Sequence, residues 1–389
     1  MNRIKKILLF LLFIFSLSLV GCTNIFNNEI YNKSYNVSID LEEFEDLITA
    51  ATEKAASSVI GVSNYEKTLT GYVLSSTGSG VIYSCVAVLK DGTIEEDYEK
   101  TFDSSNVSEY VYKAVTNRHV IEGSDTNKIR IYIGSDNRKI DAIVLGYDNK
   151  VDLAVVKFSY TKFIQPIEFA DSENVKSGNF AIAIGNPGGY DFYGSSTFGI
   201  ISSPKRYMSD DTDNDGISDW DSEYIQHDVA INPGSSGGAL VNIKGELIGI
   251  NTLKIVDSDI DNMGFAIPSN LVKELISYLE KGKTPRRITL GITIYEIITL
   301  LNREDYGEGS IPLIDVPEDI EYGLYVNDVD VNGLAFLKLQ SGDIILEIND
   351  VKITRTQEFR AELGKVIDDE FISLKIYRNN EEILLNIYL

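Results

Sequence analysis

Cysteine, histidine and tryptophan are scarce in this chain, at two, two and one among 389 residues. Two cysteines, Cys22 and Cys85, allow at most one disulfide, which excludes the disulfide-stapled scaffolds of small secreted domains. Two histidines, His119 and His227, make the search for a general base short. Basic residues are outnumbered as well: 35 Lys and Arg against 59 Asp and Glu leave a formal charge of −24. Such a surface argues against binding nucleic acid and against adhesion to anionic lipid. No short-period repeat is visible.

What is present begins with a basic segment (Arg3, Lys5, Lys6) and an apolar run from Ile7 to Val20. That run is short for a membrane span and suits a secretory leader, with an uncleaved anchor helix as the alternative. Leu19-Val20-Gly21-Cys22 resembles a bacterial lipobox, so residues 1–21 are expected to be removed and Cys22 lipidated. Loss of the three basic residues of the leader, which has no acidic ones, takes the charge to −27. The mature chain is then expected to be exported and lipid-anchored at the outer face of the bacterial cytoplasmic membrane, on the cell surface. Without Cys22 it can form no intramolecular disulfide, and Cys85 reads as a core residue.

At 389 residues and 43% hydrophobic content, the chain can hold two or three domains. Residues 22–38 read as a tether. Leu41, Phe44, Leu47, Ile48 and Ala51 recur at helical spacing within Ser38–Val62, with Asp40 as N-cap. From Gly71 to Ile255 short β-branched or alternating runs sit between Gly, Asn and Asp clusters, which predicts many short strands and an all-β barrel or sandwich. Ser269 to Lys281 is predicted to be a helix capped by Ser269 or Asn270 and ended by Gly282, followed by a linker, Lys283-Thr-Pro-Arg-Arg.

Asn232-Pro-Gly-Ser-Ser-Gly-Gly packs three glycines between strand-like runs. Glycines at this density permit positive φ and close backbone approach. A serine held there beside converging N–H groups suits acyl transfer, which needs a nucleophile and an oxyanion hole. An ordinary Gly-Ser hairpin turn is the alternative. A base and an orienting carboxylate are also required. His119 follows an apolar strand in Ala114-Val-Thr-Asn-Arg-His. His227 lies nine residues before Ser236, on the strand entering the glycine loop, so it reads as packing or partly exposed. Asp152 opens the apolar run Leu153-Ala-Val-Val, where an unpaired carboxylate would be costly. Its alternative is a turn residue, as for Asp148.

Thr116-Asn-Arg-His-Val, Val151-Asp-Leu-Ala-Val-Val and Asn232-Pro-Gly-Ser-Ser-Gly-Gly-Ala-Leu, in this order, resemble the HtrA/Deg family of chymotrypsin-fold serine proteases. Ala183-Ile-Gly-Asn-Pro-Gly-Gly, Phe198-Gly-Ile-Ile-Ser, Gly249-Ile-Asn-Thr and Gly264-Phe-Ala-Ile-Pro-Ser extend the likeness over residues 45–389. The resemblance implies a mainly β chain: a chymotrypsin-like double β-barrel over 39–283 and a small α+β PDZ-like domain over 287–389. It also implies His119 as base, Asp152 as orienter and Ser236 as nucleophile. Gly234 and Ser236 would supply the oxyanion-hole N–H groups, with Ser235 between them holding the turn. A specificity pocket would be lined by Ala230, Ile231, Ile250, Asn251 and Thr252. With no acid or base there, cleavage after small or medium aliphatic residues is expected. Thr289, Leu290, Gly291 and Ile292 would form the PDZ carboxylate loop, binding C-terminal peptides by strand addition. A homotrimer acting on unfolded exported proteins follows by analogy, with no cofactor required for catalysis.

Two segments exceed that pattern. Residues 85–110 are acidic and suggest an extended hairpin. Asp211, Asp213, Asp215 and Asp219, with Glu223 one place past the usual twelfth position, are spaced like the oxygen ligands of a calcium loop. A solvated acidic loop is the alternative there. For the whole chain the rivals are an inactive, chaperone-like binding protein and a calcium-dependent surface adhesin.

Overall fold

A computed structural model describes residues 40–389 except 97–103, 124–126, 135, 212–217, 219, 253–261, 307–310 and 368–370. Cys22 and the tether therefore lie outside the described residues. The chain divides into a unit of residues 1–46 and a unit of residues 47–389. In the first, Asp40 Oδ1 accepts a hydrogen bond from Glu42 N at 3.0 Å, the expected N-cap of helix α1 (Leu41–Ala56). The helix ends earlier than its apolar spacing suggested, because Val59 already belongs to a strand.

Strand alternation organises most of the larger unit. The first barrel contains β1 (Val59–Thr68), β2 (Gly71–Leu89), β3 (Ile94–Glu95), β4 (Val107–Asn117), β5 (Lys128–Ile133), β6 (Asp136–Asp148) and β7 (Leu153–Tyr160). Their order is β1-β5-β6-β7-β4-β2-β3, and pairing of β1 with β2 closes the barrel. The second is a closed barrel of β8 (Phe180–Gly185), β9 (Ser195–Asp210), β10 (Trp220–His227), β11 (Ala239–Val241), β12 (Leu247–Thr252) and β13 (Gly264–Pro268). Helix α2 (Ser269–Leu279) follows.

Period-two alternation explains how the barrels join. In β7, Ala154 and Val156 point into the first barrel, while Leu153 and Val155 join a second core with Ile182, Ile250 and the α2 residues Val272, Leu275 and Leu279. The site elements are anchored on this shared layer. Cys85 is buried in the first barrel, where burial pushes its thiol up to about 11, so it is an inert core residue as expected. The side chains expected to cap α2 do not do so: Ser269 Oγ donates to Ala170 O and Asn270 Nδ2 donates to Asp171, tying the helix start to the segment between β7 and β8 instead.

A third sheet, β14 (Ile292–Glu296), β15 (Leu324–Val329), β16 (Ile344–Ile348), β17 (Val351–Lys352), β18 (Phe371–Arg378) and β19 (Glu381–Tyr388), runs β14-β15-β16-β18-β19, with β17 beside β16. Helices α3 (Ile297–Leu301) and α4 (Thr356–Gly364) accompany it. Phe359 and Leu363 of α4 pack into its core with Leu324, Ile345 and Leu374. Two barrels followed by a small α+β domain match the expected fold class.

Candidate active site

The antiparallel register of β4 and β7 places Asn117 opposite Leu153, so the strand end carrying His119 meets the turn carrying Asp152. His119 N donates to Asp152 Oδ1 at 2.9 Å, and His119 Nδ1 bonds Asp152 Oδ2 at 2.7 Å. An ionised carboxylate only accepts, so Nδ1 carries the proton, and in the neutral ring Nε2 is then the acceptor. Arg118 N and Asn117 Nδ2 each donate to the Asp152 carbonyl at 3.0 Å. These bonds hold Asp152, 3% exposed, at φ +58, a left-handed conformation uncommon outside glycine. Thr252 Oγ1 donates to Asp152 Oδ2 at 3.3 Å.

The Asn232–Gly238 loop is stitched to its surroundings almost wholly by backbone. Ser235 N donates to Asn232 O at 2.8 Å and Asn232 N donates to Ser235 Oγ at 3.2 Å, so Ser235 is consumed in the turn. Ser79 N donates to Ser236 O at 2.8 Å, and Ser79 Oγ donates to Gly234 O at 2.7 Å. Gly188 N donates to Pro233 O at 2.8 Å. In a trans peptide C=O and N–H point in opposite directions, so this bond turns the Gly234 N–H away from Gly188. Gly234 has φ +100, and a Cβ there would lie 2.4 Å from Asn186 O.

The loop and the His119 end of β4 are adjacent. A Cβ on Gly237 would meet Thr116 Oγ1 at 2.5 Å and Asn117 N at 3.1 Å. One on Gly78 would strike the Val120 side chain and come within 3.1 Å of Ser236 O. Among the described residues no hydrogen bond occupies the Ser236 hydroxyl, and none joins it to His119.

Two expectations for site residues need correction, those for the specificity pocket and for Glu223. Ile250 is fully buried in the inter-barrel core and Thr252 turns its hydroxyl to Asp152, so neither lines a specificity pocket. Asn251 Nδ2 is bound to Ala239 O, while Ala230 is exposed and Ile231 half-buried beside the second barrel. Glu223 is not turned outward as a calcium ligand. Its carboxylate, 4% exposed, receives Lys365 Nζ at 2.6 Å and Lys205 Nζ at 3.7 Å. Asp213, Asp215 and Asp219 lie outside the described residues, and Asp211 is half-buried. Of the two readings of His227, packing holds: it is wholly buried, and a Cβ on Gly264 would lie 2.2 Å from its ring. Burial pushes its pKa down to about 4, against smaller opposing effects of the Val229 backbone, the Asn251 side chain and Asp228.

Sequence reasoning missed Thr252 as a partner of Asp152, and Ser79, Asn186 and Gly188 as anchors of the loop. Asn186 and Gly188 do lie in one of the motifs that carried the resemblance, and Thr252 in another. In the third sheet, the Thr289–Ile292 loop runs into β14, with Gly291 at φ +70. Gly291 O accepts from Asp330 N at 2.8 Å and Leu290 O from Ala335 N at 3.0 Å. Among the described residues, β14 has β15 on one side only. No helix among the described residues is long and apolar enough to cross a membrane.

Residues 104–250 match the trypsin-like peptidase domain family and residues 309–389 the PDZ domain family. The chain is 31% identical over 393 residues to the serine protease Do-like HtrA of Lactococcus lactis subsp. cremoris, covering 94% of this chain and 86% of that one. It is 32% identical to the serine protease HtrA-like protein of Staphylococcus haemolyticus over 80% of this chain, and spans half of that longer relative. Among solved structures it is similar to the HtrA-type protease AlgW with a tripeptide (TM-score 0.57, 27% identity, 88% of this chain and 96% of that one). The serine endoprotease from Yersinia pestis matches over the same shares at TM-score 0.52 and 27% identity. A two-barrel domain with His119 bound to Asp152 beside a glycine-clamped serine loop, followed by a PDZ domain, thus belongs to the HtrA/Do family of serine proteases.

Proposed function

We propose that the protein is a serine endoprotease in which His119, Asp152 and Ser236 act as a triad. The observation that carries this reading is the paired His119–Asp152 hydrogen bond beside a loop whose Pro233–Gly234 peptide is anchored by Gly188 N. His119 Nε2 takes the proton from Ser236 Oγ as that oxygen attacks the substrate carbonyl. The N–H groups of Gly234 and Ser236 receive the oxyanion. The imidazolium, stabilised by Asp152, then protonates the leaving amine, and water attacks the acyl-enzyme by the same route. A hydroxyl not yet bonded to its base is compatible with this, since such bonds tighten when substrate arrives.

The first substrate residue would face Ala230 and Ile231, neither of which is ionisable, so small or medium aliphatic residues before the cut are favoured. The loop Thr289–Ile292 and the edge of β14 suit a C-terminal peptide that adds as a strand. Exposed Phe180 and Phe198, stacked at 5.2 Å beside Ile200, form a surface suited to assembly into a homotrimer. Unfolded or damaged exported proteins are the proposed substrates, and a lipid on Cys22 the proposed anchor to the outer face of the membrane.

The test is digestion of β-casein by the full chain in detergent beside Ser236→Ala, with the cut sites sequenced. Cleavage by the parent alone, mostly after Val, Ala, Leu or Ile, is expected. Equal activity in the variant would sink the triad, and cuts after Lys or Arg would sink the specificity. Cys22→Ala should abolish labelling by radioactive fatty acid and release the protein from membranes.

A further inference from the structure

Arg287 closes the segment that reads from sequence as a linker, yet its side chain is only 19% exposed. Its Nη2 pairs with Asp148 Oδ2, and Asp148 is itself 3% exposed. The other oxygen of Asp148 caps the turn that follows: Oδ1 accepts from Lys150 N at 2.8 Å and from Val151 N at 3.2 Å. That turn ends on Asp152, held at φ +58 with both carboxylate oxygens on His119. A non-glycine residue keeps such a backbone only where its surroundings over-determine it. The chain of contacts therefore runs from Arg287 through Asp148 and one capped turn to the carboxylate that orients His119.

The same guanidinium is held from two more sides. Its Nη1 donates to Gly364 O at 3.0 Å, at the end of α4, and its Cζ lies 5.0 Å from the centre of the Trp220 ring. A Cβ on Gly364 would be 2.7 Å from Trp220 Cζ2, so the helix end, the ring and the guanidinium are closely packed. A planar fork that spans an acceptor on each edge and stacks on an aromatic face is a role for arginine that lysine reproduces only in part.

We propose that Arg287 is a positioning residue for proteolysis: by fixing Asp148 it holds the Asp148–Asp152 turn in the conformation that presents Asp152 to His119. The inference rests on the triad reading above. A buried ion pair contributes little net stability against well-packed alternatives, but it specifies orientation, and orientation is what Asp152 needs. Because Arg287 also grips Gly364 O, the C-terminal domain shares in holding the catalytic turn.

The experiment compares Arg287→Gln, Arg287→Lys, Asp148→Asn and the double Arg287→Gln/Asp148→Asn variant in the full chain, with Ser236→Ala as control. The expected outcome is a kcat lowered about tenfold or more in each of Arg287→Gln and Asp148→Asn, since small misplacements of catalytic groups are costly. KM should stay within about twofold, because the substrate contacts are untouched. The double variant should lose no more than either single one, as for two residues acting through one contact. Arg287→Lys, which keeps the charge facing Asp148, should recover most of the loss. The low-field NMR signal of the proton between His119 Nδ1 and Asp152 should shift or broaden with kcat, in protein shown by thermal unfolding to be folded. Wild-type kcat and an unmoved signal in folded Arg287→Gln would overturn the proposal, as would additive losses. Should Arg287→Gln fail to fold, Asp148→Asn, which retains the turn cap, decides alone. Full activity in Ser236→Ala would instead condemn the triad reading itself.

Discussion

Gly188 donates its backbone N–H to the carbonyl oxygen of Pro233 at 2.8 Å, and that one bond sets which way the Pro233–Gly234 peptide faces. An oxyanion hole made of backbone donors cannot be deleted by removing a side chain, but it can be turned over. Gly188 itself sits at φ +68 and Gly234 at φ +100, conformations that glycine adopts without steric cost.

Gly234→Ala should turn the peptide. The added Cβ would lie 2.4 Å from Asn186 O and 2.9 Å from Gly188 N, on top of the clamp. Loss of one oxyanion donor lowers turnover on the order of 10²–10³-fold. Steady-state kcat on a chromogenic peptide checks it, and a loss under fivefold would show that Gly188 does not govern the hole.

Asp152→Asn replaces an acceptor facing His119 Nδ1 with an amide that can donate, which favours the tautomer with the proton on Nε2 and removes the base. The expected fall in kcat at neutral pH is on the order of 10⁴. Thr252→Val, which removes one neutral donor from the same carboxylate, should cost about tenfold. Equal effects of the two substitutions would contradict the ordering of these contacts.

His227 should make the fold acid-sensitive. Burial disfavours its charged form, so the folded protein resists protonation until about pH 4, while the unfolded chain takes up the proton near 6.5. The resulting stability is complete above pH 6.5 and is lost as pH falls from there to about 4, by about 3 kcal/mol in all. Urea midpoints at pH 7 and pH 4.5 for the parent and His227→Phe check this. The variant should lose less on acidification.

Glu223 and Lys365 should respond asymmetrically. Burial raises the Glu223 pKa more than Lys365 and Lys205 lower it, so its ionised form works against folding. Stability tied to this group therefore declines as pH rises through its elevated pKa. Glu223→Gln should unfold at an equal or higher temperature at pH 7. Lys365→Met, which strips the nearest cation from Glu223 and Glu362, should lose about 3–5 kcal/mol. Calorimetry decides, and a lower melting temperature for Glu223→Gln would show that the ion pair outweighs desolvation.

The site was legible in sequence where its parts are local. His119, Asp152 and Ser236 each stand in a short motif whose glycines, asparagines and strand ends set the backbone within a few residues. Ile250 and Thr252 were misplaced for a reason of register. Alternation puts them on one face of β12, and pairing with β11 and β13 turns that face to the inter-barrel core and, at its end, to Asp152. Glu223 looked like a calcium ligand because its partner, Lys365, is 142 residues away.

The order of motifs, the alternating strands and the glycine spacing were enough to determine the fold class and name the three residues of the proposed triad, because those features depend on near neighbours along the chain. Tertiary structure alone decided which way each side chain faces across the junction of barrels and C-terminal domain. There, Arg287 meets Asp148 over a separation of 139 residues, His227 takes the space of a missing Cβ at Gly264, and Gly188 aims the Pro233–Gly234 peptide. Such contacts arise only when distant strands come into register, and periodicity carries no record of them.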